Sequence, residues 1–400
     1  MSDPATAPGR APAERLMTLN MGPQHPSTHG VLRLLLELDG ETIRSAAPDI
    51  GFLHTGIEKQ CEALTYQQAV TLTDRVDYLA NLSNNLCYAL AVEKLLGMEM
   101  PRRVRWMRVL LAELTRINSH LVWLGTQALD IGAMTVFLYC FREREDLLRI
   151  FEMFSGQRMM TSYIRVGGLA LEPPRGWETM VRKFLKAFPS KIEEYEALLT
   201  ANPIWLQRTK GIATVPLELM LDRGVTGPLL RAAGLNWDIR KSEPYTSYEE
   251  FDFDVPVREE GDVFARYQVR LEEMRQSTRI VFQAMDGMPE GPWKADAPKV
   301  VLPDREKMKT QMEALIYHFK LVTEGFQVPA GEVYQAVESP RGELGYYVVS
   351  DGGARPYRVH MRTPSFGNLQ ALPDMIEDRL VADVIAAMGS LDFVLGDVDR

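Results

Sequence analysis

Three long segments with helical periodicity, separated only by short breaks that contain glycine or proline, constrain the fold of this chain most strongly. The first, DRVDYLANLSNNLCYALAVEKLLG, ends at Gly97, the second follows Pro101, and the third closes at Gly156. Glycine commonly ends a helix, and proline is tolerated in a helix's first turn. Long helices joined by such short connections predict an antiparallel bundle.

Strand-like sequence lies on both sides of this helical part. Residues 17–49 predict a hairpin with its turn at Gly40 and Glu41, after a loop GPQHPSTHG. Amphipathic patterns predict further helices at 177–199, 262–286, 305–323 and 379–388, and strands return after residue 330. The predicted fold class is therefore α+β, with a central long-helix bundle and small sheets from the N- and C-terminal parts.

The chain divides into four predicted parts. Residues 1–16 are rich in Ala and Pro and have no apolar signal-peptide region, which predicts a disordered tail. An N-terminal β-region at 17–57, a helical body at 58–330 and a C-terminal β-region with a helix and tail at 331–400 follow. Residues 121–140 approach the length of a membrane span, but Asp130 and other polar residues interrupt them, so we predict a buried bundle helix.

Composition excludes several classes of function. The chain has 54 acidic and 45 basic residues and a net charge of −9, which argues against nucleic-acid binding because neutralising phosphates takes a clustered excess of Lys and Arg. Cys61, Cys87 and Cys140 are far apart and form no CxxC pair, so we predict a reduced protein without a disulfide framework or a cluster-binding motif. The sequence also lacks P-loop and dinucleotide-binding fingerprints.

Ionisable residues in unusual places are the first candidates for chemistry. Asp130 follows an apolar run, and burial would raise the pKa of its carboxyl unless a His or Arg compensates; a helix-end cap is the equally open alternative. His25 and His29 have the i, i+4 spacing of zinc ligands, but the proline between them predicts a loop, and no third ligand is near. Arg75 and Tyr78 share a face at a predicted helix start, for which solvent exposure is the simpler interpretation by spacing alone.

Longer strings of sequence are more specific than these single residues. MGPQHPSTHGVLRL, IGFLHTGIEKQCE, DRVDYLANL, LDIGAMTVFLYCFREREDLL, RGELGYYVVSDG and the C-terminal GDVDR occur in this order. Together they resemble the 49-kDa (D) family of respiratory complex I subunits, complex I being the proton-pumping NADH:quinone oxidoreductase. The resemblance extends from about residue 17 to residue 400, and it implies a fold similar to the large subunit of nickel–iron hydrogenases.

Hydrogenases of that kind hold their metal with two cysteine pairs, and the resemblance places four residues of this chain at those positions. They are Asp77, Ala80, Val394 and Asp397. Because none of them is a thiolate, nickel and iron cannot be held there by soft ligands. The resemblance therefore implies that this chain binds no metal and that the former metal cavity holds something else.

The family's use of this cavity is to receive the quinone headgroup, at the interface with the B subunit and its terminal iron–sulfur cluster. His29 and Tyr78 match the family's headgroup-binding pair, and Asp130 matches the carboxylate behind the histidine. The resemblance thus implies that these three residues are catalytic, with Asp130 raising the pKa of the His29 imidazole. Arg75, and more weakly Arg158, would lie near the partner's cluster.

Partners and location are implied in the same way. The B, C and H subunits of complex I, with the I subunit as a further candidate, would surround this chain and provide its membrane contact. NADH, FMN and the iron–sulfur clusters would belong to those partners, quinone would be the substrate, and this chain would bind no cofactor itself. The expected location is peripheral, on the cytoplasmic face of the cell membrane, in an enzyme that couples quinone reduction to proton translocation.

Two alternatives stay open. A non-catalytic scaffold subunit would not need titratable groups at His29, Tyr78 and Asp130, which counts against that function. A D-like subunit of a related complex with another electron donor is not excluded by the sequence, because the donor binds a different chain. An energy-converting hydrogenase large subunit is excluded by the four missing cysteines.

Overall fold

The computed structural model describes residues 16–400, so the predicted tail lies outside the described residues apart from Leu16. The strands are β1 (Met17–Met21), β2 (Arg33–Asp39), β3 (Thr42–Asp49), β4 (Ile164–Arg165), β5 (Gly168–Leu169), β6 (Gly331–Ser339), β7 (Gly342–Ser350) and β8 (Arg358–Arg362). The α-helices are α1 (Ile57–Ala63), α2 (Tyr66–Val76), α3 (Asn81–Leu96), α4 (Arg102–Asp130), α5 (Met134–Ser155), α6 (Trp177–Leu199), α7 (Pro203–Thr209), α8 (Leu217–Asp222), α9 (Pro228–Ala232), α10 (Ile239–Ser242), α11 (Val263–Gly287), α12 (Arg305–Thr310), α13 (Met312–Thr323), α14 (Pro364–Gln370), α15 (Leu372–Ile376), α16 (Val381–Leu391) and α17 (Leu395–Asp399). Short 3₁₀ helices occupy Pro26–Thr28 and Tyr248–Glu250.

The predicted α+β class is confirmed. Strands β1, β2 and β3 form one antiparallel sheet, β6, β7 and β8 form another, and β4 pairs with β5. Along β2 the side chains alternate, with Leu34, Leu36 and Leu38 buried, as expected for a strand with one face on the core. The predicted hairpin between β2 and β3 forms, with Gly40 in the left-handed conformation.

The long helices build the centre of the molecule. Helix α4 packs along α5 and α11, and only residues 131–133 connect α4 to α5. Gly97 and Gly156 end α3 and α5 in the left-handed conformation, as the sequence predicted. In residues 16–400 no helix combines the length and the hydropathy needed to cross a membrane, and residues 121–140 belong to α4, its connection and α5.

The helix predicted from Asp74 to Gly97 is wrong at its start. Helix α2 ends at Val76, α3 begins at Asn81, and Tyr78 lies in the turn between them. The Asp77 carboxylate accepts the backbone N–H groups of Leu79 (3.0 Å) and Ala80 (3.1 Å). Such a side-chain bond competes with the helical hydrogen bonds and ends the helix.

The remaining predicted helices agree closely with the structure. Helices α6 and α11 match the predictions for 177–199 and 262–286 within one residue at each end, and α16 corresponds to the helix predicted near 379–388. The segment 305–323 is divided into α12 and α13 because Gln311 is extended.

The N-terminal sheet and the C-terminal helices share one apolar core. Leu34 and Ile43 are buried in the same cluster as Leu372, Met388 and Val398. The backbone of Ile43 also exchanges hydrogen bonds with residues 378 and 379, at 2.8 and 2.9 Å. This junction brings the loop after β1 close to the last helix, α17. The boundaries between parts of the chain that were predicted at residues 57 and 330 stay predictions.

Candidate functional site

The loop between β1 and β2 holds His29 at the end of a 3₁₀ turn. His29 caps that turn with φ 54°, in the left-handed region, and its N–H donates to the Pro26 carbonyl. The Thr28 hydroxyl lies within hydrogen-bond distance of two loop carbonyls, at 2.9 and 3.1 Å. Gly22 is needed where the loop closes, since a Cβ there would lie 2.2 Å from the Leu32 carbonyl oxygen. The loop is therefore tightly constrained by its own contacts.

The His29 imidazole stacks on Phe393, with ring centroids 4.7 Å apart and an angle of 21° between the planes. His29 is exposed to solvent as a residue, but protein atoms surround much of its ring. The resulting desolvation lowers the pKa of the imidazole, and the charge of Arg341 lowers it further. His29 is thus neutral at neutral pH. A neutral imidazole still has one N–H to donate.

Tyr78 lies opposite the last helix of the chain. Gly396 of α17 approaches the turn so closely that a Cβ would lie 2.8 Å from the Val76 carbonyl oxygen and 2.9 Å from that of Arg75. The same position is 3.5 Å from Cε1 of Tyr78. Burial, and then the charge of Asp77, raises the pKa of the Tyr78 phenol, which therefore keeps its proton at neutral pH.

Arg341, in the turn between β6 and β7, joins the two segments that correspond to the lost cysteine pairs. Its guanidinium is fully buried and bonds Oδ2 of Asp77 at 2.6 Å. It also bonds Oδ1 of Asp392 at 3.2 Å and the Asp392 carbonyl oxygen at 2.7 Å. A guanidinium stays charged at any physiological pH, so Arg341 provides a fixed positive charge between Asp77 and Asp392.

Asp397, on α17, is a further buried carboxyl group of this site. Its Oδ2 accepts the backbone N–H of Ser365 at 2.9 Å. Burial, and then the charge of Asp77, raises the pKa of Asp397 to about 7, while burial raises the pKa of Asp392 to about 6 against the opposing charges of Arg341 and Arg270. The site therefore combines a fixed cation with carboxyl groups that can hold protons near neutral pH.

The expected pair of Asp130 and His29 is not formed. Within residues 16–400 no hydrogen bond or ion pair joins them, and the groups that act on Asp130 are His25 and the Ser27 hydroxyl. Burial raises the pKa of Asp130, as predicted, against these two. The expectation that the pKa of His29 is raised is wrong, because burial and Arg341 both disfavour the imidazolium.

The two arginines expected near a partner's cluster have different surroundings. Arg75 is exposed at the end of α2, and its guanidinium donates to the Thr71 carbonyl. Arg158 is also exposed, but it forms a two-bond ion pair with Glu145 at 2.5 and 3.0 Å. The charge of Arg158 is therefore compensated by a carboxylate, whereas that of Arg75 has only a backbone carbonyl beside it.

Sequence reasoning missed Arg341, Asp392 and Phe393 as parts of this site. All three lie in strings that carry the resemblance or next to them, but their own spacing gave no signal. For metal binding, the described residues 16–400 contain no group of three or more His, Cys, Asp or Glu side chains arranged around a common point. The three cysteines are free and buried.

Residues 130–400 match the sequence model of the family described as respiratory-chain NADH dehydrogenase, 49 Kd subunit. The chain belongs to this 49-kDa family. It is 75% identical over 386 residues to the first of the numbered NADH-quinone oxidoreductase D subunits of Solibacter usitatus (strain Ellin6076), covering 96% of this chain and 94% of the relative. Identity is 68% to the second D subunit of Koribacter versatilis (strain Ellin345), over 97% and 96% of the two chains, and 56% to the D subunit of Geotalea uraniireducens (strain Rf4), over 96% and 99%. The family predicted from the sequence strings is confirmed.

Proposed function

We propose that this chain forms the quinone headgroup site of its complex, with His29 and Tyr78 donating hydrogen bonds to the two carbonyl oxygens. As a member of the 49-kDa family, the chain is a subunit of an NADH-quinone oxidoreductase. The observation that carries the proposal is that both side chains lie near the same buried cation, Arg341, and both keep a hydrogen to donate. Burial and then Asp77 raise the pKa of the Tyr78 phenol, against the charge of Arg341, while burial and then Arg341 lower the pKa of the His29 imidazole. At neutral pH the Tyr78 phenol keeps its O–H and the neutral His29 imidazole keeps one N–H, so each can donate a hydrogen bond to one of the two carbonyl oxygens.

Reduction of a quinone to a quinol takes two electrons and two protons, and the chain's own residues can supply the protons. The Tyr78 O–H is proposed as the source of one proton. The neutral His29 ring is proposed to relay the other, giving up its N–H to the quinone as its second ring nitrogen takes up a proton from solvent. The electrons would come from the terminal iron–sulfur cluster of the B subunit. The fixed positive charge of Arg341 lowers the cost of the phenolate that Tyr78 becomes when it gives up its proton.

Asp130 remains part of the proposed site, but among the described residues it contacts the loop that carries His29 and does not pair with His29 itself. His25 and the Ser27 hydroxyl, which belong to that loop, lower the pKa of the Asp130 carboxyl against the effect of burial. We infer that Asp130 positions this loop and that a change in its charge alters the loop when quinone is reduced. Such a charge-dependent movement would be a first step of the coupling to proton translocation.

We also infer the surroundings of the site from the family. The B, C, H and I subunits are the proposed partners, and NADH, FMN and the iron–sulfur clusters are assigned to them rather than to this chain. Arg75 is proposed to face the cluster of the B subunit because it is exposed beside the Tyr78 turn. The complex would hold this chain at the cytoplasmic face of the cell membrane.

His29→Ala in the purified complex tests the headgroup site. We expect inhibitor-sensitive NADH:quinone turnover to fall about tenfold or more, because a hydrogen bond to the reacting oxygen is lost. NADH oxidation by an artificial acceptor that takes electrons before the quinone site should be unchanged. His318→Ala, on α13, is the matched control and should behave as the unaltered complex. Unchanged quinone turnover in His29→Ala with a fully assembled complex would favour the scaffold function instead.

A further inference from the structure

The charges buried behind Tyr78 do not balance when all of them are ionised. Asp77, Asp392 and Asp397 supply three carboxyl groups, each less than a tenth exposed. Arg341 and Arg270 supply two guanidinium groups, both fully buried. An uncompensated buried charge is costly, and a carboxyl group in that position binds a proton instead.

The hydrogen bonds indicate which carboxyl group holds the proton. Asp77 accepts from Arg341 and from the N–H groups of Leu79 and Ala80, a set that favours its ionised form. Asp397 accepts the Ser365 N–H and has no bond from a guanidinium within the described residues. Asp397 is therefore the carboxyl group whose negative charge is least compensated.

A second observation is that one oxygen atom among these buried carboxyl groups is free to bind a proton. Oδ2 of Asp392 is buried and has no hydrogen-bond partner in the described part of the chain, although Oδ1 of the same group bonds Arg341. Nε of Arg270, whose charge also acts on Asp392, is likewise buried and unpartnered among residues 16–400. An unpaired acceptor of this kind can take up a proton that leaves a neighbouring carboxyl group.

We propose that Asp397 holds a proton in the resting protein and that this proton replaces the one that Tyr78 gives to the quinone, with the Asp77 carboxylate as the group between them. The inference rests on the proposed function. Gly396 places the backbone beside Asp397 against the tyrosine ring, and Asp77 is the residue before Tyr78 in the chain. Besides Asp77, the groups that face Asp397 are Arg341, Tyr346 and Ser365.

The step balances in protons and electrons. Two electrons from the partner's iron–sulfur cluster reduce the quinone, the O–H bond of Tyr78 breaks, and a new O–H bond forms on the quinol. The Tyr78 phenolate then takes the proton of Asp397, which becomes a carboxylate and is later protonated again from solvent. The second quinol proton comes from solvent through the His29 ring, which gives up one N–H bond as a new N–H bond forms on its other nitrogen.

Infrared difference spectra of the purified complex test the resting proton directly. We expect the C=O band of a protonated buried carboxyl group to disappear in the quinone-linked redox spectrum of Asp397→Asn and to persist in Asp378→Asn, an exposed control whose carboxylate pairs with Arg44. Wild-type turnover should fall as the pH rises through about 7, where the pKa of Asp397 lies and the group loses its proton. Asp397→Asn should turn over about tenfold more slowly or worse, without that decline.

Two further measurements distinguish a proton-holding role of Asp397 from a structural one. Asp397→Glu restores a carboxyl group and should recover the band, at a shifted frequency, together with part of the turnover, whereas a merely structural role predicts no recovery of the band. In the unaltered complex, ¹³C-labelling of aspartate should shift the same band, a test that needs no variant. A band that persists in Asp397→Asn, or one that the label does not shift, overturns the proposal. His29→Ala should lower quinone turnover and keep this band in a pH-difference spectrum of the resting complex, which needs no quinone reduction, so failure of the headgroup site is seen separately.

Discussion

Arg341 shows how one side chain can organise a site that no local pattern reveals. It lies in a tight turn between two strands, where an arginine is usually exposed, yet it is fully buried. Its bonds to Asp77 and Asp392 cross 264 and 51 positions of sequence. Removing one partner from such a buried pair costs about 3–5 kcal/mol, because the other charge is left without compensation.

Arg75 and Arg158 allow a prediction at the same scale. Replacing Arg75 with Met should lower the reduction potential of the nearest partner cluster, because an exposed positive charge that favours the reduced cluster is removed. Arg158→Met should give a smaller shift, since Glu145 already compensates that charge. Redox titration of the purified complex followed by electron paramagnetic resonance measures both. Equal potentials in Arg75→Met and the unaltered complex would remove Arg75 from the surroundings of the cluster.

The elements that build the site were only partly predictable. Helices α6 and α11 follow from apolar periodicity and clear end signals, so their bounds were found to within one residue. The break between α2 and α3 has neither glycine nor proline, and it depends on Asp77 being held by Arg341 from a distant turn. Sequence patterns report local preferences, whereas this break is set by tertiary contacts.

Helix α17 also shapes the site through its backbone, because Gly396 lets it pack closely against the turn that carries Tyr78. A Cβ at Gly396 would lie under 3 Å from two backbone oxygens of the α2 end, so Gly396→Ala must displace α17 or the Tyr78 turn. We expect a loss of about 1–3 kcal/mol in stability and several-fold slower quinone turnover. Thermal inactivation and turnover of the assembled complex measure the two effects.

The control for that change is Gly331→Ala at the start of β6. There a Cβ would meet only Leu95, at an ordinary contact distance of 3.7 Å, so neither stability nor turnover should change. If Gly396→Ala behaved like Gly331→Ala, the contact between α17 and the Tyr78 turn would not matter for the site.

In the described part of the molecule, the site lies where the loop after β1 meets the C-terminal helices. The first loop carries His29 and the last residues carry Phe393 and Asp397, while the Asp399 carboxylate accepts the N–H groups of Gly51 and Leu53 at 2.9 and 2.6 Å. Folding therefore assembles the site only when the N-terminal sheet with its loop and the C-terminal helices both pack on the helical centre.

A buried ionic network extends from this junction into the centre of the molecule. Arg270 lies near both Asp392 and Glu273, and Glu273 in turn bonds His120 at 2.8 Å and Arg231 at 2.7 Å. These bonds join α4, α9 and α11, which are distant in sequence. The network was invisible to sequence reasoning for that reason, and so was the influence of His25 on the pKa of the Asp130 carboxyl.

The family, the fold class and most helices could thus be predicted from the sequence, while the internal arrangement of the site could not. His29 and Tyr78 were chosen because they stand in strings typical of the family, and the structure gives each a burial and charge environment that suits a donor. What the strings could not convey is the fixed charge of Arg341 and the surplus carboxyl group beside it.

A structure of the purified complex with a bound quinone tests the proposed headgroup site most directly. We predict that one carbonyl oxygen of the headgroup lies about 3 Å from the Tyr78 hydroxyl and that the other faces the His29 imidazole. A headgroup that reacts from a position where neither side chain is within hydrogen-bond distance would contradict this assignment.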